Sequence, residues 1–126
     1  MSRILFFGSD LVSKYTLRSM FTRQPAMKER IQLLGPPKPK SRRLPPYEFH
    51  QYARSQQLPF FFESTFKEKD DWDRLERELS RGSGFDIAVI ASFGKMVPDR
   101  IIDAFPKGML VMHPSLLPKY RGACPI

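Results

Sequence analysis

The sequence predicts an α/β protein built on a mainly parallel sheet wound by crossover helices. Two observations carry that reading. Three short continuous apolar runs, Arg3–Phe7, Phe85–Ala91 and Met109–Met112, read as strands buried on both faces rather than strands with one wet face. Between them lie segments whose apolar residues recur at helical spacing, and strands alternating with helices favour right-handed parallel crossovers.

The elements follow in order. Arg3–Phe7 ends in Gly8-Ser9-Asp10, where Ser9 or Asp10 suits the cap of a helix carrying Leu11, Val12, Tyr15, Leu17 and Met20. Ile31–Leu34 predicts a second strand. Residues Gly35–Pro46 hold five prolines and four cations and predict a loop. Tyr47–Gln57 predicts a helix with Phe49, Tyr52 and Ala53 on one side, and Leu58–Phe62 a strand weakened by Pro59. Lys67–Arg81 predicts a charged amphipathic helix with Trp72, Leu75 and Leu79 inward. Its acidic and basic residues alternate in sign, which suits a solvated face. Pro98–Phe105 predicts a short helix before the last strand, expected to be buried.

Length and composition bound the rest. With 126 residues and 14.7 kDa, the chain is read as one domain over 1–126. Eleven Phe, four Tyr and one Trp supply a core. A net charge of +8 and a pI near 9.9 point to a polyanionic partner. The one cysteine, Cys124, excludes an internal disulfide and a cysteine-rich zinc site, and no metal is expected. No apolar run approaches the roughly 18–20 residues of a membrane helix, and strand-like sequence begins just after Met1. A soluble intracellular protein, with neither membrane nor DNA as partner, is the expectation.

Several residues are candidates for chemistry. His113 follows the last strand and opens a loop stiffened by Pro114, Pro118 and Pro125. Open α/β sheets keep their sites at the carboxyl ends of strands, so His113 is either a catalytic imidazole or a surface histidine before a turn. Gly8-Ser9-Asp10 lacks the G-x-G-x-x-G pattern, so a nicotinamide cofactor is rejected. Lys38, Lys40, Arg42 and Arg43 fall within six positions and suit either phosphate contacts or a solvated linker. His50 has no partner at metal-ligand spacing and reads as incidental, and Cys124 has no visible base to make it a nucleophile.

The run HPSLLPKYRGACPI over 113–126 resembles the signature of the folate-dependent formyltransferases, and LFFGSD and IAVIASFGKMVP also look like segments of that family. The resemblance spans the whole chain and implies a Rossmann-like doubly wound sheet, with 10-formyltetrahydrofolate as formyl donor. It implies His113 as a catalytic residue, working with an aspartate that would lie past Ile126 and an asparagine at the position held here by Val111. Valine offers no hydrogen bond to an oxyanion, although the hydrolase members of the family also carry an aliphatic residue there. Folate contacts are implied for Phe93, Gly94, Lys95 and Met96, and for Ser115, Leu116, Leu117 and Pro118. For Phe93 and Met96, ordinary core packing is the competing reading.

RGACPI and the basic loop resemble the branch whose acceptor is initiator methionyl-tRNA, in translation initiation. In that branch a basic, proline-containing insertion contacts the acceptor stem, which implies tRNA contacts for Lys38, Lys40, Arg42 and Arg43. LFFGSD and PPKPKSRR look most like fungal mitochondrial members, so a mitochondrial matrix enzyme is expected, otherwise a cytoplasmic one. The chain would be the amino-terminal, folate-binding part of such an enzyme, incomplete before the family's later strands and inactive alone. The alternatives are a formyltransferase or hydrolase acting on a small molecule, and an inactive folate- or RNA-binding remnant.

Overall fold

Ile4–Gly8 is buried at all five positions because it is the central strand of a parallel sheet. The computed structural model describes residues 2–112. Five strands, β1 (Ile4–Gly8), β2 (Ile31–Gly35), β3 (Phe60–Glu63), β4 (Ile87–Ala91) and β5 (Met109–Met112), run in the order β3-β2-β1-β4-β5. Every pairing is parallel, with Phe6 opposite both Leu33 of β2 and Val89 of β4. The connections carry α1 (Leu11–Arg23), α2 (Tyr47–Ser55), α3 (Asp70–Ser80) and α4 (Asp99–Ile102), with a 3-10 turn over Pro25–Arg30.

The sheet has a core on each side. Leu5 and Phe7 meet Leu34, Leu75, Ile90 and Ile101 beneath α3 and α4. Ile4 and Phe6 meet Leu17, Leu33, Phe49 and Ala53 beneath α1 and α2. Fully burying one such side chain is worth about 1.5–3 kcal/mol, so these two layers dominate the stability. Between α3 and α4, Arg100 donates to Asp73 Oδ1 at 2.5 Å and Glu76 Oε1 at 2.8 Å. Its hydrogen bond to Asp73, then that to Glu76, holds the guanidinium pKa above its ordinary value.

The structure departs from sequence expectation in four places. Leu11, Val12 and Tyr15 are exposed, and α1 turns Ser13, Leu17 and Phe21 inward instead. Asp71 is buried rather than solvated, accepting from Glu68 N at 3.1 Å and Arg74 Nη1 at 2.6 Å. β3 starts at Phe60, since Pro59 has no N–H for the ladder, although its carbonyl accepts from Leu33 N at 2.9 Å. β5 is exposed, with Leu110 at 58 %, Val111 at 50 % and Met112 at 52 %. Its apolar run belongs to the outer strand of the described sheet, and Leu110 and Met112 border an open cleft with Val12 and Tyr15.

β1 and β2 approach closely at their carboxyl ends. A Cβ on Gly35 would lie 2.5 Å from the Gly8 carbonyl oxygen and 3.3 Å from Phe49 Cε2. The first contact is with backbone, which has no rotamer by which to yield. Gly35→Ala should therefore destabilise the fold by about 1–3 kcal/mol, read as a lower urea midpoint. An unchanged midpoint would show that the strands separate freely there.

Candidate active site at the sheet switch point

The chain leaves β1 toward β2 on one side and returns through β4 on the other, so the order reverses between β1 and β4. In open α/β sheets that reversal leaves a crevice outside the carboxyl ends of the strands, where ligands bind. Here the segments that meet at the reversal are Gly8-Ser9-Asp10 after β1 and Ser92–Met96 after β4.

Ser13, fully buried in the first turn of α1, joins the two sides. Its hydroxyl donates to the Ala91 carbonyl oxygen at 2.5 Å and accepts from Ser9 N at 2.9 Å. Asp10 caps α1, its Oδ1 accepting from Val12 N at 3.0 Å and Ser13 N at 3.3 Å. The other carboxylate oxygen, Oδ2, accepts from Ser92 Oγ at 2.5 Å, and Ser9 Oγ donates to the Ser92 carbonyl at 2.5 Å. Ser92 has φ 55° and Gly94 φ 78°. A non-glycine residue in the left-handed region costs of order 1 kcal/mol, and two hydrogen bonds with the β1–α1 turn hold this one in place.

The candidate folate residues separate by exposure. Phe93 is in the core, with ring centroids 5.3 Å from Phe7 and 5.6 Å from Phe66, so its side chain serves packing. Gly94, Lys95 and Met96 are exposed, Met96 at 88 %, and nothing lies within 4 Å of a Cβ built on Gly94. What the segment offers a ligand is an open backbone edge with mobile-length side chains beside it. Met112 is in register with Ala91, so β5 ends beside the Ser92 loop, and Val111 is exposed opposite Ile90. His113, Ser115, Leu116, Leu117, Pro118 and Cys124 lie outside the described residues. Among the described residues no cluster of His, Cys, Asp or Glu suits a metal ion, and no helix is long and apolar enough to cross a membrane.

Lys38, Lys40, Arg42 and Arg43 are all exposed on the loop that follows β2. Arg42 and Arg43 line a cleft of about 260 Å³ with Asp10 and Leu11. The basic loop thus borders the β1–α1 turn of the switch-point crevice. On its other side the loop is held by His50, whose Nε2 lies 2.7 Å from the Pro36 carbonyl oxygen. Since a carbonyl only accepts, Nε2–H is the donor. The His50 ring stacks on Phe60 with centroids 4.6 Å apart. Sequence reading passed over this histidine, and the signal available was its position one turn past the proline-rich loop.

A parallel doubly wound sheet with a switch point flanked by a cationic loop is the architecture of a ligand-binding α/β domain. The family profile described as Formyl transferase matches residues 3–126, and the chain belongs to that family. It is 34 % identical over 129 residues to the mitochondrial methionyl-tRNA formyltransferase of Bos taurus, covering 98 % of this chain and 28 % of that protein. It is 33 % identical over 126 residues to the methionyl-tRNA formyltransferase of Thermus thermophilus, covering 98 % of this chain and 39 % of that protein. The chain therefore spans well under half the length of these relatives. Among solved structures, glycinamide ribonucleotide transformylase 1 from Symbiobacterium toebii superimposes with a TM-score of 0.66 at 20 % identity, covering 98 % of this chain and 56 % of that one. Phosphoribosylglycinamide formyltransferase from Bacillus halodurans does so at 0.69 and 19 %, covering 97 % and 61 %. At these identities the structures attest the shared fold.

Ser13→Ala should leave Ser9 N and the Ala91 carbonyl without their partner, costing about 1–3 kcal/mol. Denaturant unfolding measures this. A loss within a few tenths of a kcal/mol would mean that the hydroxyl does not join the two sides.

Proposed function

We propose that this chain is the donor-binding part of an enzyme that transfers a formyl group from 10-formyltetrahydrofolate to the α-amine of initiator methionyl-tRNA. The observation that carries this reading is the cationic loop, whose Arg42 and Arg43 share a cleft with Asp10 and Leu11 at the switch-point turn. A small acceptor needs no row of exposed cations beside the crevice, whereas an RNA acceptor stem presents a line of phosphates. One-third identity to relatives named methionyl-tRNA formyltransferase supports the same acceptor.

The donor fits the residues present. A flat heterocycle with several donors and acceptors suits an exposed backbone edge such as Gly94–Met96, open on one flank at Gly94. Ser115, Leu116, Leu117 and Pro118 would complete this side. In the reaction the amine nitrogen forms a bond to the formyl carbon, and the bond from that carbon to the donor nitrogen breaks. The amine proton passes to the donor nitrogen. His113 is assigned the proton transfer and the polarisation of the formyl oxygen. Val111 supplies no hydrogen bond to that oxygen, so donors to it must come from elsewhere in the complete site. The mitochondrial relatives favour the mitochondrial matrix as the compartment.

The test is formyl transfer to methionyl-tRNA by this chain extended to the length of its relatives. His113→Ala should lower kcat by about 10²–10⁴. Neutralising Lys38, Lys40, Arg42 and Arg43 together should weaken tRNA binding and flatten the log–log salt dependence by up to about four. Unchanged tRNA affinity in that variant would remove the tRNA reading and favour a small acceptor. Transfer unaffected by His113→Ala would remove the histidine from the mechanism.

A further inference from the structure

Phe66, in the loop between β3 and α3, has φ 53°. A bulky aromatic residue rarely adopts that region, and the conformation persists only where its surroundings hold it. Here Phe66 N donates to Ser64 Oγ at 2.9 Å, and Ser64 N donates to the Gly35 carbonyl oxygen at 3.0 Å. Ser64 and Phe66 are both buried, so the turn is fastened to the end of β2 away from water.

The strained turn brings the Phe66 ring against the candidate donor loop. Its centroid lies 5.6 Å from that of Phe93, edge to face at 72°, and 4.1 Å from that of Trp72. Trp72 meets Phe93 at 6.3 Å, and Phe7 adds a third ring at 5.3 Å. Phe93 is buried, whereas Gly94, Lys95 and Met96 after it are exposed. The exposed edge is therefore tied to the core through the Phe93 ring, while the hydrogen bonds at Ser92 act from the α1 side. A ring needed only to fill space could sit on ordinary backbone; this one is held on strained backbone by a dedicated hydrogen bond. We propose that Phe66 is a positioning residue for the formyl donor: braced by Trp72, its ring holds Phe93 and so sets the placement of the Gly94–Met96 backbone edge. The inference rests on the donor reading of that edge, and Phe66, being buried, acts through Phe93 rather than on the ligand.

Formyl transfer to methionyl-tRNA by the extended chain, with the donor concentration varied, separates this role from plain core packing. Phe66→Leu removes the flat ring, and Ser64→Ala removes the acceptor that holds the turn while keeping every ring. Leu79→Ala opens a cavity in the same core near the carboxyl end of α3, whereas Trp72 is in its first turn. The first two variants should raise the donor KM about ten-fold with kcat nearly unchanged, and weaken tetrahydrofolate binding by a similar factor. Leu79→Ala should lower the urea midpoint yet leave donor KM and tetrahydrofolate affinity near their unsubstituted values. Ser64→Ala decides the matter if Phe66→Leu does not fold. Equal rises in KM in all the variants, or no rise in either of the first two, overturns the proposal and leaves Phe66 a packing residue. In that case tetrahydrofolate that still shifts the Gly94–Met96 amide signals keeps the donor reading. Tetrahydrofolate bound with those amides unmoved removes both.

Discussion

A single buried hydroxyl ties the two halves of the sheet at their functional end. Ser13 lies in the first turn of α1, accepts from the backbone of the β1–α1 turn and donates to the last residue of β4. The ladder from Ile4 opposite Ile87 to Gly8 opposite Ala91 sets the register of β1 and β4. Beyond that ladder the Ser13 contact, backed by Asp10 to Ser92 and Ser9 to Ser92, holds the two following loops together. Because these groups are partly or wholly buried, their hydrogen bonds face little competition from water. The left-handed backbone at Ser92 depends on this clasp, and Ser92 opens the exposed Gly94–Met96 edge. The shape of the crevice is thus fixed from the α1 side, by residues that need not touch a ligand.

The electrostatics are arranged on a separate support. The cations of the loop after β2 are exposed, while the loop itself is anchored by His50 to Pro36 and by the turn bonds from Leu44 N to Ser41 O and Tyr47 N to Leu44 O. Five prolines lower the entropy that such a loop loses when it is ordered. A prepositioned row of charges raises association rate and orients a polyanion before close contacts form. That row lies between two clefts, one shared with the β1–α1 turn and one against α2.

Strand positions and most helix positions were legible because continuous apolar runs and helical spacing survive in the sequence, whereas the strand order was not read from it. β1 and β4 were clear because both are buried on two faces. β5 carried the same apolar signal and is the outer strand of the described sheet, where Leu110, Val111 and Met112 are exposed. The inward face of α1 was misjudged because Ser13, a polar residue, is buried there for its hydrogen bonds, while Leu11, Val12 and Tyr15 are not. Of the candidate site residues that the motif supplied, Gly94, Lys95 and Met96 are exposed in the loop after β4, while the Phe93 side chain packs in the core. The clasp and His50 were not legible, because each depends on contacts between distant segments that no local pattern records.

The central claim is that the crevice between β1 and β4 receives the folate donor. Titrating tetrahydrofolate into the labelled chain, with backbone amide signals followed by NMR, addresses it residue by residue. The account predicts shifts centred on Ser92, Gly94, Lys95 and Met96, with smaller ones at Ser9 and Asp10 and none along α3. Saturable binding with these amides unmoved and shifts elsewhere on the sheet would contradict it.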